Sequence, residues 1–502
     1  MQVLNERRET IEVDSAKMEG KLTMEEFAQR SRERADSYIR YHIDTAETDD
    51  KQALPNRFLV KVGKVGLAKF ILTELFQYWG KWDVITSRPC TYGVFSGPVG
   101  GFSPRPALCV GCLRCTIQHP DFVTVEHNPA RNSLGDSYMT PKLVSTIDEE
   151  ARKGTVPVRG QGYRGRFGGP GWDQMFTDMS EIVRPSRDGI HGRELISTVV
   201  DIGSKPMRLS FDSDGSLVGE VPKMLSCELP FMLGPLGSDT MTAKVAKIWK
   251  DTAEQVDTLA FLPIDMVSSL GLASPNVVPI LDESGSMEYL GESSGTRMVE
   301  MRTWNPASFD SISKSHPGLI VSARLPFQGN WKNTMMEMVE AQVPVIHFQA
   351  DGHGYSDDGS FVMDLMMEAH NSLIEAGNRD KVTFLLTGGV VAADHLPKAI
   401  ICGLDAVVLD LPLIVAIQGR LNGNLRTGDY TTKFPRKMKH EWAVQRLVNL
   451  SASWRDQLLE ILGAMGIREV RRLRGEMGRA MWCGHLEEEA FADIEGFVGG
   501  DA

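Results

Sequence analysis

Three cysteines follow one another at intervals of two residues in Cys109-Val110-Gly111-Cys112-Leu113-Arg114-Cys115. Thiolates so spaced are carried round one face of a cuboidal iron–sulfur cluster, with amides such as that of Gly111 turned toward the sulfurs. Zinc is the competing ion, because His119 lies near enough in sequence to complete a three-Cys, one-His set. Zinc sites usually divide their ligands into two distant pairs, so the tight run favours a cluster and one-electron chemistry. Cys227 and Cys402 fall in apolar stretches and read as core thiols, while Cys483-Gly484-His485 is a short pattern of low specificity.

The fourth ligand is the open point. In bacterial-type ferredoxins the run continues with three residues and then Cys-Pro; here it continues Thr116, Ile117, Gln118, His119, Pro120. In the two-cluster forms the fourth Cys of each run binds the other cluster, so loss of one cluster makes a Cys at position 119 dispensable. The same logic leaves one Cys upstream, and Cys90 is placed for it. The expectation is one [4Fe–4S] cluster on Cys90, Cys109, Cys112 and Cys115. His119 competes as fourth ligand, and a three-iron cluster without one is the remaining alternative.

The elements around this loop are readable from pattern. In 502 residues with a net charge of −12, no predicted face concentrates Lys and Arg, which argues against a nucleic-acid surface. No apolar run reaches the length of a spanning helix and the N-terminus lacks a signal-peptide pattern, so a cytoplasmic chain is expected. Residues 1–84 read as a helical arm, with one amphipathic stretch at 24–41. A second stretch at 58–82 carries Leu67, Phe70, Ile71, Leu75 and Trp79 at helical spacing. It reads as a helix packed on the body of the protein or on a partner, with an interfacial membrane helix as the weaker alternative. Residues 85–150 form the cysteine segment, rich in Gly and Pro. From 228 to 415 eight short apolar runs alternate with helical stretches: PFMLGPLG, DTLAFLPID, NVVPILD, MVEMRTW, GLIVSARLPF, VPVIHFQADG, KVTFLLTGG and DAVVLDLP. That alternation predicts an α/β fold, a (β/α)8 barrel of the TIM type, within residues 151–435, followed by a C-terminal helical pair in 436–502 that breaks at 463–466.

Several strings resemble the archaeal-type glutamate synthase large subunit, in which a ferredoxin-like segment precedes an FMN-binding barrel. FGGPGWDQMFTDMSEIVRPSRDGIHGRE at 167–194 is similar to the family's approach to its barrel; HFQADGHGYSDDGS and FLLTGGVVAADHLPKAIICGLDAVVLD are similar to its late strands. The resemblance implies FMN at the C-terminal face of the barrel, its phosphate in the loops after strands seven and eight. Gly388 and Gly389 end the seventh strand there. Arg324 falls near the family's flavin-facing Lys, where a fixed cation would stabilise a reduced flavin, and Gly352 and His353 follow strand six. Each has a plainer reading as well: a tight turn, a salt-bridged Arg, a loop histidine.

Some features of the family are missing. Its mid-barrel run of Lys, Gln and Gly has no counterpart between Leu270 and Ser322. Asp410 stands where a Gly would admit phosphate, and a carboxylate repels phosphate unless neutralised or turned away. The post-barrel cysteines are absent and Gln2 follows Met1, so glutamine hydrolysis is not expected of this chain. The resemblance therefore implies an iron–sulfur flavoprotein oxidoreductase passing electrons between cluster and FMN, with a small substrate. The alternative is a non-catalytic or flavin-free electron-transfer and scaffold subunit of a larger redox complex. In both, an arm without its own core implies other subunits of a redox complex and an oligomer.

Overall fold

The computed structural model describes residues 41–81, 84, 90–97, 99–155, 169, 171–178, 196–205, 210–215, 217–218, 223–237, 239–282 and 295–496. Nearly all of the stretch at 24–41 and most of 167–194, both singled out above, lie outside them. The chain divides into two compact units, Met1–His42 and Ile43–Ala502, and the fold that follows is that of the second. Among the described residues no helix is long and apolar enough to cross a membrane.

The cysteine segment has a small fold of its own that begins earlier than its composition suggests. Strand β1 (Phe58–Val62) pairs antiparallel with β2 (Val123–His127), Phe58 opposite His127 and Val62 opposite Val123. Helix α1 (Lys64–Gln77) leaves β1 at once, and a one-turn helix α2 (Arg114–Gln118) starts inside the cysteine run. Leu67, Val94, Phe95, Phe122 and Val123 form the core, with Phe70, Ile71, Cys90, Cys109 and Cys115 packed against it. The expectation of one helix across 58–82 is corrected on two counts. Its first five residues are a strand, whose β-branched valines suit a pleated edge, and Trp79 is 80% exposed rather than core-facing.

All eight apolar runs become strands of one closed parallel barrel: β3 (Phe231–Leu233), β4 (Ala260–Pro263), β5 (Val277–Leu281), β6 (Met298–Met301), β7 (Ile320–Pro326), β8 (Val345–Gln349), β9 (Thr383–Thr387) and β10 (Ala406–Leu409). Neighbours in sequence are neighbours in the barrel, and β10 closes on β3 through Val407 opposite Phe231. The strands are buried on both faces, which is why they read as continuous apolar runs rather than alternations. Helices α3 (Pro141–Lys153), α4 (Ala243–Gln255), α5 (Ile264–Leu270), α6 (Pro306–Ser315), α7 (Trp331–Glu340), α8 (Val362–Glu375), α9 (His395–Ile401), α10 (Leu411–Ala416), α11 (His440–Ala464) and α12 (Cys483–Phe491) complete the framework.

Of the predicted C-terminal pair, the first helix is α11, which ends at Ala464; the second does not begin at the break, where Val470–Leu473 forms a 3-10 turn, and the next helix is α12, starting at Cys483. Buried Arg446 ties α11 to its neighbours, donating to the Asp148 carboxylate of α3 at 2.6 Å and to the Ala416 carbonyl of α10. At the N-terminal end of the barrel, buried Asp405 accepts from Arg379 at 2.8 Å, Arg474 at 2.9 Å and Lys205 at 3.1 Å. Burial alone would raise that carboxyl; the three cations outweigh it and hold it well below the usual carboxylate range.

Candidate functional site

Cys90, Cys109, Cys112 and Cys115 line one hollow of about 300 Å³, part of it open to solvent, whose apolar wall includes Val60, Val94, Phe95 and Val125. Backbone amides approach the sulfurs: Tyr92 N–H donates to Cys90 Sγ at 3.4 Å, and those of Gly111 and Thr116 serve Cys109 and Cys115. Burial, with the other thiols nearby, pushes Cys109 and Cys115 up from their ordinary range, so ligation by thiolate needs a cation in the hollow. The loop conformation is exacting. Gly111 has φ +71°, and an added Cβ would stand 2.2 Å from the Phe58 ring. Leu113 adopts φ 58°, a left-handed conformation costing a non-glycine residue roughly 1–2 kcal/mol. Its carbonyl there accepts from the Thr116 hydroxyl at 2.7 Å and the Ile117 amide at 3.0 Å, starting α2 beneath Cys115.

His119 is absent from the hollow's lining; its ring lies 4.5 Å from that of Phe70 and 5.1 Å from that of Phe122. Sulfur spacing also bears on the kind of metal. Among the described residues, the one group of His, Cys, Asp or Glu side chains with three ligand atoms mutually within 4.8 Å is Asp173, Asp394 and His395. That group already holds a cation, Lys398, 3.2 Å from Asp394. Three sulfurs on one zinc would stand about 3.8 Å apart, so the thiols are spread wider than a single ion requires.

A second constellation lies inside the barrel toward the C-terminal ends of its strands. Glu300 of β6 accepts from Arg324 Nε of β7 at 2.5 Å and from His347 Nδ1 of β8 at 2.6 Å; His347 Nε2 meets Thr387 Oγ1 of β9 at 2.7 Å. Glu300 is fully buried, which would raise its carboxyl, but Arg324 and His347 prevail and lower it. An ionised Glu300 only accepts, so His347 carries its proton on Nδ1, and in the neutral ring Nε2 accepts from Thr387. On the strand that carries Arg324, Ser322 Oγ and Arg324 Nη2 are buried without a protein partner, as is Trp304 Nε1 in the segment between β6 and α6. Native interiors rarely leave such groups unpaired, so Ser322 Oγ and Arg324 Nη2, two residues apart on one barrel strand, mark a place where a ligand oxygen has donors waiting.

The loops after strands six and seven are held by the chain itself. A Cβ on Gly388 would stand 2.5 Å from the Asp351 carbonyl, and one on Gly389 2.6 Å from Gly354 Cα. The Gly389 carbonyl accepts from Tyr138 Oη at 2.6 Å and Trp172 Nε1 at 3.0 Å. His353 Nε2 pairs with Asp136 at 2.6 Å while its ring stacks on Tyr138, and Gly352 lies against Leu425 of the loop joining strands Arg420–Asn424 and Asp429–Lys433. At the end of β10, Asp410 caps α10, accepting from Leu411 N–H at 2.6 Å. Burial pushes its carboxyl up to about 6 against the pull of that amide.

No family model matches the chain. The archaeal-type glutamate synthase [NADPH] of Dehalococcoides mccartyi is 22% identical over 448 residues, covering 77% of this chain and 89% of the relative. The archaeal glutamate synthase [NADPH] of Archaeoglobus fulgidus is 24% identical over 439 residues, 73% and 84% of the two chains. The chain is related to the archaeal-type glutamate synthases. That of Methanocaldococcus jannaschii reaches 32% identity over a shorter span of 124 residues, 24% of its length. Among solved structures, mandelate oxidase aligns over 60% of this chain and 97% of its own at 14% identity, with a TM-score of 0.34.

Against that relationship the predicted site residues divide into three groups. Cys90 joins the three cysteines of the run, and His119 lies apart from them. Gly352, His353, Gly388 and Gly389 are brought together, but their close approaches are to their own chain. Arg324 is in the barrel interior, bonded to a glutamate that sequence reasoning passed over, as it passed over His347 and Thr387. A signal was available: a Glu, an Arg and a His stand at mid-strand on three successive apolar runs, where charged groups are almost never buried unless paired.

Proposed function

We propose that this chain is an oxidoreductase of the glutamate synthase kind in which Cys90, Cys109, Cys112 and Cys115 hold one [4Fe–4S] cluster. The observation that carries the reading is the convergence of four thiols, three of them with amide donors on their sulfurs, on a single hollow. The donor set fits a cluster: all-sulfur, wider than one ion needs, and walled on one side by apolar side chains that restrict water.

FMN, which the relationship implies, fits in part. Glu300 fixes Arg324 through Nε and leaves Nη2 free for an acceptor such as a flavin carbonyl oxygen, with Ser322 Oγ on the same strand as a further donor. The strand-eight corner fits less well, since the Asp410 carboxyl already takes the Leu411 amide. A bound flavin would supply the step between single electrons and a two-electron change in a small substrate. The chain's own part is to orient that ring with Arg324 and to keep a histidine of fixed tautomer beside it. Its partners are other subunits of a redox complex.

Asp410 and the self-packed Gly388–Gly389 turn favour a second reading, a flavin-free electron-transfer and scaffold subunit. The visible spectrum of the purified chain separates the two. Flavin bands superposed on cluster absorbance support the first; broad cluster absorbance alone supports the second; a colourless protein overturns both.

A further inference from the structure

The rim of the cysteine hollow is unusually apolar for a surface. Tyr92 is 53% exposed, Val110 43%, Leu113 46% and Ile117 77%. Isolated exposed apolar side chains are ordinary, but Tyr92, Val110 and Leu113 line one hollow, and with Ile117 two residues beyond Cys115 on α2 they form a patch of the kind that marks an interaction site. Leu113 sharpens the point, because it combines an exposed apolar side chain with a left-handed backbone that Gly or Asn would adopt at lower cost.

Charge identifies the kind of partner. Residues 57–127 carry eight Lys and Arg against four Asp and Glu, a local net charge of +4 in a chain of −12, so the remainder carries −16. Two of the cations belong to the rim: Arg114 is exposed between Cys112 and Cys115, and Arg57 is exposed and close enough to act on the Cys109 thiol. Positive charge beside the cysteines, in a chain whose remainder is acidic, attracts an acidic partner and disfavours a second copy presenting acidic surface.

We infer that this rim, Tyr92, Val110, Leu113 and Ile117 with Arg57 and Arg114, is the docking surface for a small acidic electron-carrier protein. The inference rests on the reading that the four cysteines hold a cluster. Each encounter moves one electron: the carrier's reduced centre loses it, the cluster gains it, and no bond or proton changes hands. A transient redox encounter needs only a small face, below roughly 1,200 Å² in total, with charge setting its rate and salt sensitivity.

The test uses the full chain purified without oxygen, with iron and sulfide measured on every sample, and an acidic plant-type ferredoxin as probe. Calorimetric titration should show saturable binding that weakens at least tenfold in Arg57→Glu and Ile117→Ser. It should also weaken as salt rises from about 0.05 to 0.5 M, and be unchanged in Phe76→Ser, an exposed site on α1 outside the rim. Equal affinity in all variants, or self-association of the chain lost in Ile117→Ser, overturns the docking surface. An iron-loaded chain that does not bind overturns this inference alone; a wild-type chain without iron and sulfide overturns the cluster reading and this with it.

Discussion

At the scale of single residues, Cys90 and Asp410 carry the sharpest consequences. Cys90 shares a hollow with the cysteine run, whereas His119 is committed to Phe70 and Phe122. Cys90→Ser should therefore convert a four-iron centre to a three-iron one or strip it, while His119→Ala leaves iron content unchanged; iron and sulfide analysis with EPR of both variants checks this. Asp410 holds its proton up to about 6, so above that pH it presents a negative charge at the strand-eight corner and below it a neutral acid. FMN affinity should rise as pH falls through about 6, and Asp410→Asn should raise it about tenfold at pH 7.5 and abolish the pH dependence, as measured by fluorescence titration; an unchanged affinity would place the phosphate elsewhere. The cysteine run was legible in sequence because its chemistry lies in consecutive residues. The Glu300–Arg324–His347–Thr387 network was not, because each member is one polar residue in an apolar strand and only barrel closure makes them adjacent.

At the scale of elements, the cysteine loop depends on β1 lying under it. Phe58 fills the space where a side chain at position 111 would go, so Gly111→Ala should cost both a strained φ and a clash with an aromatic ring, typically 1–3 kcal/mol. The expected outcome is at least a halving of iron per chain with the barrel's thermal transition unchanged, read by iron assay and calorimetry on one sample. Dependence of this kind explains why the strand was hard to read. Phe58–Val62 runs into an apolar helical stripe separated from it by Gly63 alone, and its partner β2 lies sixty residues downstream. Periodicity is a local signal and antiparallel pairing is not. The barrel strands posed no such difficulty, because burial on both faces makes each an apolar run bounded by turn residues.

For the molecule as a whole, the barrel's two ends divide stability from chemistry. Asp405 with Arg379, Arg474 and Lys205 secures the N-terminal end, while Arg324 Nη2 stands unpaired beside the Glu300–His347–Thr387 network inside the barrel. Because the Asp405 carboxyl lies below its unfolded value, its contribution is present above about pH 4 and is lost as pH falls through the depressed folded value. Asp405→Asn should cost on the order of 3 kcal/mol at pH 7 by leaving buried Arg379 without its counter-ion, with the deficit shrinking as pH falls well below 4; denaturant midpoints at pH 7 and about pH 2 test the sign. The cysteine unit, the barrel and the tie through Arg446 belong to one compact unit, so a cluster and a barrel ligand would be held in fixed relation. The measurement that bears most directly on this account is iron and acid-labile sulfide per chain in protein purified without oxygen. Four of each is the predicted result; one zinc with no sulfide, or neither metal nor sulfide, would contradict it.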